Sequence, residues 1–154
     1  MKLKTLVFAL AFCVAASIAS FAADSNVGTW KLNEAKSKIS AGASKNINVV
    51  YTAEGDTYKG VVDGVDGSGK PTHHEWTGKF DGKDYPVTGD PNADTRAIKK
   101  IDDRHYLLTS KKDGKATSTG TITLSADGKT RTVITHGTDA KGKKVSGRSV
   151  YDKQ

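Results

Sequence analysis

A chain of 154 residues with a formal charge of +7 at pH 7 has room for one domain and too little for two of ordinary size. Its single cysteine, Cys13, excludes an internal disulfide and a cysteine-built metal centre. The basic balance invites an anionic partner. However, Lys70, Lys83, Lys115, Lys129, Lys141 and Lys143 sit beside predicted turns and do not interleave with stacking aromatics, which argues against nucleic acid.

Lys2 and Lys4 precede an apolar run from Leu6 to Ala19 and the small-residue site Ser20-Phe21-Ala22. This is the pattern of an export signal cut after Ala22, so residues 1–22 read as an address and residues 23–154 as one domain. Losing Lys2 and Lys4 lowers the charge from +7 to +5, and losing Cys13 leaves a chain without thiols. The run is short for a membrane span and nothing later is long and apolar enough. The expectation is an exported protein, periplasmic or secreted, without stable membrane insertion.

Val27 to Leu32 reads as a first strand that places Gly28 and Trp30 on one face by the two-residue period. Asn33 is positioned to cap one or two helical turns that Gly42 ends. From there the chain repeats one unit. Ile47 to Ala53 alternates Ile47, Val49 and Tyr51 against polar neighbours, and Thr57 to Val65 puts Tyr58, Gly60, Val62 and Gly64 together. Lys70 to Phe80 puts Thr72, His74, Trp76 and Phe80 on one face, with His73, Glu75, Thr77 and Lys79 on the other. Pro86 has no N–H to give to a ladder, so the short run around it reads as irregular or edge-like.

Thr95 to Ile101, Arg104 to Lys111, Lys115 to Ser125, Lys129 to Gly137 and Lys143 to Tyr151 complete the strands. Asp113-Gly114 and Asp127-Gly128 bracket the third of these, and Asp-Gly between alternating runs is a strong hairpin signal because both turn positions tolerate positive φ. Turns recur every 9 to 15 residues, which leaves no space for crossover helices and rules out a parallel sheet. A sandwich, an open meander and a closed barrel remain, and because closure removes exposed sheet edges the spacing favours an all-β, antiparallel, up-and-down β-barrel of about 8–10 strands with one short N-terminal helix.

Gly28-Thr29-Trp30 after an export signal, then a short helical segment and a hairpin meander, resembles the opening of the lipocalin and fatty-acid-binding-protein superfamily. With Trp30-Lys31-Leu32-Asn33 and the serial Asp-Gly-Lys turns, the chain is similar to small exported bacterial lipocalin-like proteins of unassigned function. The resemblance implies that Trp30 closes one barrel end beneath an arginine of the last strand, for which Arg148 stands in a suitable place. The family's Thr-Asp-Tyr turn motif is absent, and the stretch after Leu32 is too short for a two-helix lid.

Four histidines could suggest a metal, but adjacent His73 and His74 point to opposite strand faces, leaving only His74 with His136 as inward candidates. Asp63 and Asp66 lack calcium-loop spacing. No nucleophile elbow or phosphate loop occurs, so no catalytic residue, metal or cofactor is assigned. The expected site is a pocket lined by Tyr58, Val62, Thr72, His74, Trp76 and Phe80. Its ligand would be a small apolar or amphipathic molecule with one polar or anionic end, such as a lipid-like or aromatic acid. A barrel filled by these same aromatics, serving structure or protein interaction, and an uncharacterised enzyme are the alternatives.

Overall fold

The computed structural model describes residues 24–139 and 141–154; the leader assigned to residues 1–22 lies outside them. Eleven strands form in chain order: β1 (Gly28–Leu32), β2 (Lys38–Ile39), β3 (Lys45–Glu54), β4 (Thr57–Val65), β5 (Pro71–Gly78), β6 (Tyr85–Thr88), β7 (Thr95–Lys100), β8 (His105–Lys112), β9 (Lys115–Leu124), β10 (Thr130–Thr138) and β11 (Lys144–Lys153). β3 to β11 pair in sequence, every pair antiparallel. β1 lies between β3 and β11, with Trp30 opposite Val49 on one side and Lys153 on the other. These ten strands close an all-β barrel. β2 stands outside the ring and pairs only Ile39 and Lys38 with Gly147 and Arg148.

The alternation that predicts each strand also sets its inward face. Val49, Tyr51, Val62, His74, Trp76, Ile98, Tyr106, Ile122, Leu124, Val133 and Tyr151 are all buried, each on the inward parity of its strand. At the first bracket of β9, Asp113 (φ 50°) and Gly114 (φ 71°) are both left-handed, as a two-residue hairpin of the primed type requires. At the second, only Gly128 is (φ 68°). There the Asp127 carboxylate takes the Lys129 N–H and the Ser125 hydroxyl, making an Asx turn in place of the primed one.

Pro86 has the anticipated effect. β6 pairs through two residues with β5 and through two with β7, making this the thinnest part of the wall.

The N-terminal helix is corrected to a single 3-10 turn, Glu34–Lys36, capped by Asn33 Oδ1 accepting from the Lys36 N–H at 3.1 Å. It stops there because the Ser37 hydroxyl donates to Asn33 O while the Val150 N–H donates to that same hydroxyl. The chain is thereby pinned to β11 and leaves in extended form as β2. Among the described residues no helix is long and apolar enough to cross a membrane.

Candidate functional site

The inward residues divide by size along the barrel axis. At the end where β1 begins, Tyr58 stacks on Phe80 with centroids 4.0 Å apart, Trp76 stacks on Phe80 at 6.0 Å, and Tyr106 meets Phe80 edge-on at 5.4 Å. Aromatic pairs of this kind each add roughly 0.5–1.5 kcal/mol beyond the area they bury. Trp76 Nε1 donates to Arg96 O, and Trp30 Nε1 donates to Asn26 O, both at 2.9 Å. Residues leading into β1 finish the plug: Asp24 accepts from the Tyr106 hydroxyl at 2.5 Å and from Lys100 Nζ at 2.9 Å. Burial, followed by the bond to Asp24, holds the Tyr106 hydroxyl protonated far above its ordinary range.

Toward the other end the inward residues shrink. β4 runs from Tyr58 to Gly64, β9 from Leu124 to Ser118, β10 from Arg131 to Gly137 and β11 from Tyr151 to Gly147. The space they leave is a cavity of about 190 Å³, whose walls include Val62, Thr72, His74, Arg96, Arg131 and Tyr151. The structure therefore brings Val62, Thr72 and His74 to one cavity. Tyr58, Trp76 and Phe80, although inward, lie beneath it in the packed half.

Two positions differ from the sequence expectation. Arg148 does not cover Trp30; it is exposed, points outward on β11 and donates to Lys36 O at 3.0 Å. Residues 147, 149 and 151 are the inward ones on that strand, so parity alone turns Arg148 away. The cation over Trp30 is Lys153, its Nζ 5.1 Å from the ring centroid. Gly28 makes the approach possible: a Cβ there would stand 2.7 Å from Lys153 Cε, at a φ of +135° that side chains avoid. The second is His136, which is exposed and by strand parity stands on the outward face of β10, opposite to the inward face that carries Arg131 and Val133. Among the described residues no cluster of ligating side chains could hold a metal ion.

The polar groups of the cavity stand in two places. On β10, Arg131 is 4% exposed, and its Nε donates to Asn26 Oδ1 at 3.0 Å. Its guanidinium carbon lies 5.7 Å from the Tyr51 ring and 5.3 Å from the Tyr151 ring. Among the described residues it has no carboxylate partner, and its terminal nitrogens donate to no protein atom. Burial keeps the Tyr151 hydroxyl protonated, so a neutral phenol flanks the cation.

Across the lumen, Arg96 pairs with Asp90 at 3.0 Å, and its Nε donates to the Ser110 hydroxyl at 3.1 Å. Beside them His74 is 6% exposed, and among the described residues its buried Nε2 has no hydrogen-bond partner. Removal from water, reinforced by the Arg96 charge, pushes His74 down to about 4, so the imidazole is neutral at pH 7.

Sequence reasoning missed Arg131, Arg96, Asp90 and Tyr51. A signal for the first was present, since Arg131 has the parity of Val133 and a charged residue on an inward face is an exception that asks for a partner. Asp90 gave none, because it reaches the interior from an irregular loop.

No family model matches this chain, and no curated protein does. Among solved structures it is similar to a redesigned β-barrel, mFAP1, bound to DFHBI. That pair is 16% identical over 84% of this chain and 95% of the other, with a TM-score of 0.46. A likeness this distant says nothing of function, and the barrel assignment stands on the closed register of β1 with β3 and β11.

Proposed function

We propose that this barrel binds one small, partly apolar molecule in its interior, through an anionic or hydrogen-bond-accepting end, and that it does so outside the cytoplasm. The observation that carries the reading is the buried Arg131 guanidinium, which lines a cavity and has no carboxylate partner among the described residues. Burying a cation without a counter-charge costs several kcal/mol, and a bound anion offsets that cost with charge-assisted hydrogen bonds. Volume limits the body of the ligand. About 190 Å³ is below the roughly 300–1,000 Å³ of sites for drug-sized molecules and close to the roughly 150 Å³ cavity known to take benzene. A monocyclic or short-chain acid fits; a long acyl chain does not. The leader pattern at residues 1–22 supports export, and the exported protein is expected to begin at Ala23 by N-terminal sequencing.

Calorimetric titration of that protein with benzoate, phenylacetate, hexanoate and the neutral comparator benzyl alcohol tests the reading. Saturable binding of at least one acid is expected, tighter than benzyl alcohol and weakened tenfold or more by Arg131→Gln, a change of at least about 1.4 kcal/mol. Circular dichroism checks that the variant is folded. Absence of heat and of NMR shift changes across all four compounds would sink the reading.

A further inference from the structure

We infer that Asp90 sets the charge class of the ligand: by neutralising Arg96 it leaves the cavity one uncompensated positive charge, Arg131, so that singly charged acids are accepted and doubly charged ones, such as phosphate monoesters, are disfavoured. This rests on the function proposed above and narrows its ligands by charge. Two arginines line the cavity, Arg96 and Arg131, and their partners differ in kind. Arg96 Nη2 donates to Asp90 Oδ2 at 3.0 Å and its Nε to the Ser110 hydroxyl at 3.1 Å, the two charged side chains being 11% and 14% exposed. Arg131 Nε donates to the neutral amide oxygen of Asn26, and no carboxylate pairs with it among the described residues. The Asp90 carboxylate is also tied down on its other side. Its Oδ1 accepts the Asn92 N–H at 2.9 Å, and Asn92 O in turn accepts from the Thr117 hydroxyl at 2.9 Å. The loop is thereby anchored to β9 and carries the counter-charge of Arg96 as a fixed part of the wall.

The other ionisable residues along the walls are His74, Tyr51, Tyr151 and the exposed His136. Burial keeps the His74 imidazole neutral and the Tyr151 hydroxyl protonated, so neither adds a charge at neutral pH. The Arg131 charge is within reach of a ligand. Among the described residues, the buried side-chain polar atoms that are both unpartnered and sealed off are Asn26 Nδ2 and His74 Nε2. The Arg131 Nη atoms, unpartnered as well, do not belong to that set and so keep contact with the cavity that Arg131 lines. A singly charged acid cancels this one charge through charge-assisted hydrogen bonds. A doubly charged acid leaves a net negative charge in a confined interior where water screens it poorly, and an uncompensated buried charge costs several kcal/mol. Asp90 adds to that cost by like-charge repulsion, and its bond to Arg96 withholds the second positive charge that a dianion needs.

The test compares benzenesulfonate with phenylphosphonate, two tetrahedral acids on the same ring, by calorimetry at pH 6 and pH 8.5, with benzoate as the reference acid. The sulfonate carries one charge at both pH values and so reports any change in the protein's own charge. The phosphonate carries one charge in mildly acidic solution and two in mildly alkaline solution. On the wild type the sulfonate should bind at least tenfold more tightly than the phosphonate at pH 8.5, and the two should agree within about threefold at pH 6. Asp90→Asn keeps an oxygen for the Asn92 N–H and loses the charge that occupies Arg96. In that variant the gap at pH 8.5 should also close to within about threefold. Equal wild-type affinities at pH 8.5, a gap that persists at pH 6, or a gap unchanged in folded Asp90→Asn overturns this inference and leaves the proposed function standing. Binding of benzoate with neither tetrahedral acid does the same, since shape and not charge would then select. The wild-type comparison needs no variant to fold. Failure of every acid, benzoate included, overturns both.

Discussion

The two halves of the barrel are built on the same strands and opposite principles. In the half around Phe80 the inward side chains are aromatic, their rings meet at 4.0 to 6.4 Å, and Trp30 is paired with Asn26 O and Tyr106 and Lys100 with Asp24, with Asn26 Nδ2 left unpartnered among the described residues. In the other half the same strands carry threonine, serine and glycine inward, and the largest polar groups, Arg131 and His74, are left with unfilled hydrogen-bonding capacity. One half is a core that secures the fold. The other tolerates polar groups that a core would not.

If that division is right, the largest effect on stability comes from the packed half. Trp30 is fully buried, and its indole N–H donates to the Asn26 carbonyl at 2.9 Å. Trp30→Ala should cost about 3–5 kcal/mol, the usual range for emptying a large aromatic site, read as a lower midpoint in urea unfolding at unchanged slope. Phe80 and Trp76 belong to the same class. By contrast, shortening Thr72 or Thr135 in the hollow half should leave the midpoint close to that of the wild type. Comparable losses at both ends would erase the distinction.

The strands and their inward faces were legible in the chain because an antiparallel barrel without helices writes both in one signal, the alternation between turns. Thr57 to Val65 and Thr72, His74, Trp76 are cases where parity alone sufficed. The site was less legible for a definable reason. Parity says which residues face inward and not how far along the axis they sit, so Trp76 and Phe80 were grouped with His74 although they lie below the cavity. A size gradient would have separated them: on β4, β9, β10 and β11 the inward residue shrinks toward one common end. Arg131 was visible as an inward charge. Asp90 was beyond reach, because loop residues carry no period, and Arg148 was misplaced because a resemblance of three residues says nothing about the parity of a distant strand.

The second effect belongs to the hollow half and depends on pH. An unfolded His74 takes its proton near 6.5, the folded one only near 4. Between those values the unfolded chain binds more protons, so stability is full above pH 6.5 and falls as pH drops through the window. The shift corresponds to at most about 3 kcal/mol, reduced to the extent that Asp90 turns to meet the imidazolium. Besides Arg96 and Asp90, the charges bearing on His74 are those of His73 and Asp63 on the outer face. Unfolding free energies at pH 7 and pH 5 should therefore converge in His74→Phe relative to the wild type. Equal pH slopes in the two proteins would mean that His74 is not held neutral by the fold.

The smallest effect decides which cation caps the packed end. Lys153 lies over Trp30 at 5.1 Å, at a position Gly28 keeps open, and an ammonium over an indole at a solvent-facing site contributes roughly 0.5–1 kcal/mol. Arg148 faces outward, and one hydrogen bond to Lys36 O is the contact it makes with the segment after β1. Lys153→Ala should thus lower stability by about 0.5–1 kcal/mol, with a red shift or intensity change in Trp30 fluorescence against a Trp76→Phe background that isolates the signal. Arg148→Ala should stay within about 0.5 kcal/mol and leave that fluorescence unchanged. The reverse ranking would place an arginine of the last strand over the tryptophan after all, and the barrel would then close as the resemblance implied and not through the lysine two residues after Tyr151.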